Sequence, residues 1–130
     1  MADHRTRKEI EREYGRFIRH ENGILYFYMR DNLTIDATEA QQMVSDALAL
    51  DGSGQIRLLI VFGANSDLTF NAQRYYATLT DFTHIALITQ TRLQAEVGQF
   101  LVTLLRALRS SYEFRIFYEI TLAEAWLLQP

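Results

Sequence analysis

The spacing of apolar positions changes several times along the chain, and each change marks an element. Tyr14 to His20 and Ile24 to Arg30 read as strands joined at Asn22-Gly23, a dipeptide whose readiness for positive φ suits a tight type I′ hairpin turn. From Asp36 the period becomes helical, with Ala40, Met43, Val44, Ala47 and Leu48 on one stripe and Glu39, Gln41, Gln42, Ser45 and Asp46 opposite. Asp36 and Glu39 fit an N-cap and its partner three residues on. Asp51-Gly52-Ser53-Gly54 then leads into an apolar strand from Ile56 to Phe62, and a second helix is predicted to start near Asn71. His84 to Thr89 is the next strand, after which Thr91 and Gln94 form the capping box of a long third helix. Its stripe is Leu93, Val97, Phe100, Leu101, Leu104, Leu105 and Leu108, expected to face the sheet, although a homodimer through this stripe stays open. Phe114 to Tyr118 is the last strand, and Thr121 with Glu124 repeats the capping signature before a short helix carrying Trp126, Leu127 and Leu128.

Helices alternating with strands in this order specify an α/β fold: a single mixed, mostly parallel sheet of about five strands with four helices, opening with an antiparallel hairpin. Residues 3–13 carry mixed charge and one large apolar group, Ile10, so 1–13 reads as a tail or a frayed helix ahead of one domain spanning 14–130. At 130 residues and 48% hydrophobic content there is enough chain for one core. The chain has no cysteine, which excludes disulfides and thiolate metal sites. A net charge of −3 gives no long-range pull toward nucleic acid. The charged opening lacks a signal peptide's apolar core, and the longest apolar run, Leu58 to Ala64, is too short to cross a bilayer. A cytoplasmic protein without membrane insertion is expected.

The helix opening Asn71-Ala72-Gln73-Arg74-Tyr75-Tyr76-Ala77 and the ending Phe117-Tyr118-Glu119-Ile120-Thr121-Leu122-Ala123-Glu124-Ala125-Trp126-Leu127, in this element order, resemble the STAS-like proteins, relatives of bacterial anti-sigma-factor antagonists. The similarity runs from about Gly15 to Leu128. It implies a compact α/β signalling domain that docks other proteins, a regulatory kinase or a sigma-regulating protein being the kind of partner. Some relatives are phosphorylated on a serine in an Asp-Ser pair at the start of the second helix. The matching positions here are Asn71 and Ala72, so the acceptor hydroxyl is missing; Ser66 and Thr69 are the nearby hydroxyls that a shifted alignment would substitute.

The strand end and helix start between Gly63 and Tyr76 form the expected working edge, because open α/β sheets place their sites outside the carboxyl ends of the strands. The candidate contact residues are Asn65, Ser66, Asp67, Thr69, Asn71, Ala72, Arg74 and Tyr75. Asn71 would cap the second helix and present an anion-friendly end. No catalytic residue, metal or cofactor is expected. His4, His20 and His84 lack metal-ligand spacing, no Gly-x-Ser-x-Gly elbow occurs, and Asp31 and Asp36 have simpler roles in a turn and a cap. Gly52-Ser53-Gly54 lies between helix and strand, the reverse of a phosphate loop, and reads as a turn. The leading function is a non-enzymatic regulatory interaction domain docking a protein partner through residues 63–76. The alternative is a small-ligand domain holding an apolar or anionic molecule in a cleft at that edge.

Overall fold

The structure, a computed structural model, describes residues 8–130. Its elements are β1 (Lys8–Arg12), β2 (Gly15–Arg19), β3 (Ile24–Met29), β4 (Thr34–Ile35), α1 (Ala37–Leu50), β5 (Ile56–Val61), β6 (Asp67–Leu68), α2 (Phe70–Ala77), β7 (Phe82–Ile88), α3 (Arg92–Ala107), β8 (Glu113–Phe117) and α4 (Ile120–Leu127). The main sheet has six strands in the order β1-β2-β3-β5-β7-β8. The β1/β2 and β2/β3 pairs are antiparallel, and β3/β5, β5/β7 and β7/β8 are parallel. A separate parallel pair joins β4 to β6.

This is the mixed, mostly parallel sheet with four helices that the periodicity predicts, with one more strand than expected. The addition is β1. Residues 8–12 are not a tail or a frayed helix: they pair with β2 along their whole length, Ile10 opposite Phe17. The run Lys-Glu-Ile-Glu-Arg turns one apolar side chain to the core and leaves charges outward, a composition that also guards an outer strand against pairing with another chain. The part of the expected tail before Lys8 lies outside the described residues.

Each parallel crossover steps one place along the sheet in the same direction, so right-handed connections put α1, α2 and α3 on one face. The core agrees. Ala40, Met43, Ala47, Ala72, Leu101 and Leu105 from those helices pack on Phe17, Phe27, Leu58, Ile85 and Leu87. The last helix returns on the other face, where Ala123, Trp126 and Leu127 cover Ile24, Leu59, Ala86 and Ile88. Trp126 is buried there, its ring edge-on to His84 and tilted against Phe117.

Several local details differ from the sequence reading. Only Gly23 takes positive φ in the first hairpin; His20 N donates to Ile24 O and Gly23 N to His20 O, giving a longer loop than a type I′ turn. On α1, Leu48 is exposed and Asp46 buried, because the Asp46 carboxylate accepts hydrogen bonds from Arg12 and Tyr14. Glu119, not Thr121, occupies the N-cap of α4, and Glu124 instead accepts a hydrogen bond from the Tyr26 hydroxyl. The α3 stripe splits. Leu101 and Leu105 face the sheet, with Ala95 and Gly98, whereas Leu93, Phe100 and Leu108 stand in solvent. The apolar arc is wider than a helix can bury against one sheet, so its outer half stays uncovered.

Candidate functional site

At the C-terminal edge of the parallel strands, Gly63, two residues past the end of β5, lies against Arg30 and Asp31, just past the end of β3. A Cβ at Gly63 would lie 1.9 Å from the Arg30 carbonyl oxygen, so only glycine fits. The Gly63 carbonyl accepts from Gln94 Nε2 at 2.9 Å, while Gln94 Oε1 accepts from Gln90 N at 2.8 Å. One amide side chain thus ties β5 to the start of α3. Thr91 caps that helix through Gln94 N, as the capping signature predicts.

The next loop is fastened residue by residue to the loop after β3. Ala64 N donates to Asp31 Oδ1 at 2.8 Å, Leu33 N to Ser66 Oγ at 2.9 Å, and Asn32 N to Ala64 O at 2.8 Å. Asp67 N reaches Leu33 O and Thr69 N reaches Ile35 O, both at 2.9 Å, extending the β4/β6 ladder. Asn32 and Asn65 both adopt positive φ, which asparagine tolerates better than most residues. Backbone pairing of this density gives a rigid surface loop.

The cap of α2 is Thr69, two residues before Asn71. Thr69 Oγ1 accepts from Ala72 N at 3.2 Å and donates to Asp36 Oδ1 at 2.6 Å, coupling the starts of α2 and α1. Thr69's hydroxyl and then the Ala37 backbone N–H hold the Asp36 carboxyl below the usual carboxylate range. The expected capping box of α1 is present, with Glu39 Oε1 accepting from Asp36 N at 3.0 Å. Asn71 lies inside the first turn, so its capping role is not realised. The reason is chain geometry: Thr69 is the last residue held extended by the β4/β6 pair.

The candidate residues therefore take different positions. Asn65, Asp67, Asn71 and Arg74 are exposed, Ser66, Thr69 and Tyr75 are half-buried, and Ala72 is fully buried. Asn71, Arg74 and Tyr75 share a shallow groove with Ala37, Thr78 and Leu108. The Arg74 guanidinium sits 5.9 Å from the centre of the Phe70 ring.

Sequence reasoning missed the exposure of the outer α3 residues, which it turned toward the sheet. Phe70 is 59% exposed, Leu93 71%, Phe100 74% and Leu108 48%. For the three α3 residues the signal was present in the width of the stripe, which exceeds one core-facing arc. Beneath α2, between the sheet and α1 to α3, lies a cavity of about 70 Å³ with apolar walls. Tyr76 and Tyr112 border it, and burial pushes both phenols well above their ordinary pKa. Gly52 to Gly54 form the expected turn, with Ser53 N donating to Asp51 Oδ1. Among the described residues no His, Cys, Asp and Glu cluster could hold a metal ion, and no helix is long and apolar enough to cross a membrane. His4 lies outside the described residues.

The chain belongs to the family described as a domain of unknown function, DUF7793, whose profile matches residues 18–129. No curated protein sequence matches it. Among solved structures it is similar to an uncharacterized protein of the DUF3478 family from Shewanella loihica PV-4, described as having a SpoIIAA-like fold. The TM-score is 0.54 at 18% identity, covering 93% of this chain and 91% of that one. At that identity the likeness carries the fold alone, and it establishes the STAS-like architecture that the sequence resemblance implied.

Proposed function

We propose that this protein is a non-enzymatic regulatory module of the cytoplasm that docks a protein partner through residues 63–76, with the outer face of α3 continuing the contact. The observation that carries this reading is the exposure of large apolar side chains, Phe70 at the start of α2 and Leu93, Phe100 and Leu108 along the outer face of α3, together with a polar loop pinned by hydrogen bonds. Exposed large apolar side chains rimmed by polar ones are what an interaction surface presents. Asp67, Asn71 and Arg74 supply the polar rim, where charge sets specificity and association rate. The domain signals by occupancy and not by phosphorylation of α2, since Ala72 is buried and has no hydroxyl. The Ser66 and Thr69 hydroxyls are engaged with Leu33 N and Asp36.

Affinity capture from native cells, with the purified chain as bait, tests this. Asp67→Lys, Arg74→Glu and Phe70→Asp are each expected to lose the captured partner with little change in melting temperature, because these side chains are exposed. Glu21→Lys, in the hairpin at the opposite end of β3, is expected to retain it. Normal capture by the three edge variants together with loss at Glu21→Lys would place the working surface elsewhere.

A further inference from the structure

We propose that the cavity between the sheet and α1 to α3 is a binding site for a small uncharged apolar ligand, or for an alkyl or aryl group of a few carbons on a larger one. The site is separate from the docking edge and does not depend on it. Its volume, about 70 Å³, is several times the roughly 10–15 Å³ that lodges one water molecule. Its walls include Phe17, Phe27, Met43, Leu58, Leu87 and Leu101.

The polar groups on the wall are already engaged. Gln73 Nε2 donates to Leu68 O at 3.1 Å, both ends of the Gln94 amide are paired, and the Tyr112 hydroxyl donates to Tyr76 O at 2.8 Å. A water inside would find few of the two to four partners it needs, so the space favours an apolar occupant. A charged ligand would have to shed its hydration with no opposite charge to meet it.

The cavity also has a thin wall. Val97 lines it and is at the same time 36% exposed on α3, so one side chain separates interior from solvent at that point. Gly98, next to it, lets α3 lie flush on the sheet: a Cβ there would come within 2.7 Å of Ile116 Cδ1. Helix α3 is therefore seated, and the side free to yield is α2, which has eight residues against sixteen in α3. The way in runs between α2 and α3 at Val97. Leu93 and Phe100, four residues before and three after, stand exposed on the same side of the helix and offer an apolar approach.

The test uses the purified chain with xenon and benzene as probes. Under xenon, methyl NMR shifts are expected for Met43, Leu58, Leu87 and Leu101, while Ile24, Leu59 and Leu127 on the α4 face stay unchanged. Benzene is expected to raise the melting temperature, as any ligand of the folded state alone must. Val44→Leu and Ala47→Val place extra methyl groups into the cavity from α1. Each is expected to weaken benzene binding at least tenfold while holding or raising the melting temperature without probe. Two variants are used because the β-branched one costs some helix propensity. Absence of xenon shifts at the four cavity residues, shifts confined to Leu93 and Leu108, or unchanged benzene binding in a folded filling variant would each overturn the assignment.

Discussion

Arg12 of the outermost strand grips Asp46 of α1 with two hydrogen bonds, Nε to Oδ2 and a terminal nitrogen to Oδ1, each 3.1 Å long. The Tyr14 hydroxyl donates to the same carboxylate. A second arginine, Arg19 of β2, reaches the buried Asp51 at the end of α1 at 3.4 Å. Two carboxylates on one helix thus hold the antiparallel extension of the sheet.

Breaking this grip should cost stability in a pH-dependent way. Burial by itself would raise the Asp46 pKa, but hydrogen bonds from Arg12 and Tyr14 together outweigh it and hold the carboxyl below its ordinary value. A depressed carboxyl contributes stability that is fully present above its unfolded pKa and is lost as pH falls through the folded one. Arg12→Ala is expected to lower stability near neutral pH, less than loss of a fully buried pair would, because the Arg12 side chain is half exposed. Denaturant melts of wild type and Arg12→Ala should converge as the pH is lowered below about 4.

Trp126 closes the second core against Phe117, His84 and the Arg115 guanidinium, which lies 5.4 Å from its ring centre. Trp126→Ala should destabilise the fold by roughly 3–5 kcal/mol, as removal of a buried tryptophan does. A melting temperature within a degree or two of wild type would contradict this burial.

Tyr26 lies in the same layer. Burial first, and then the hydrogen bond it donates to Glu124, push its phenol up to about 12. The neutral form is the one the fold favours, so its contribution is present below the ordinary phenol pKa and is lost as pH rises through about 12. In an ultraviolet titration Tyr26→Phe should remove an ionisation near that pH.

Thr69 carries the start of α2. Thr69→Ala should cost about 0.5–2 kcal/mol through loss of the cap, and should let the Asp36 pKa rise toward its ordinary value, which NMR titration would read. Phosphopeptide mapping of protein from its native cells should find no modification from Phe70 to Arg74. A phosphate found at Ser66 or Thr69 would restore a switch with a shifted acceptor.

The periodic pattern by itself determined the α/β order, the parallel strands and many, though not all, of the residues that pack on them. These rest on local signals: continuous apolar runs for strands covered on both faces, and helix-start pairs in which Glu39 Oε1 accepts from Asp36 N and Thr91 Oγ1 accepts from Gln94 N. That residues 63–76 carry the chain from the end of β5 to α2 was legible for the same reason. Other features depend on contacts between distant segments, which no local period encodes. Lys8–Arg12 becomes a strand because β2 offers a ladder and Asp46, 34 residues on, binds Arg12. Thr69 displaces Asn71 as cap because the β4/β6 pair holds the chain extended up to it. The outer half of the α3 stripe and the cavity beneath α2 follow from how many helices one sheet face can seat. A short α2 beside a long α3 leaves apolar surface uncovered on one side of that layer and unfilled space beneath it.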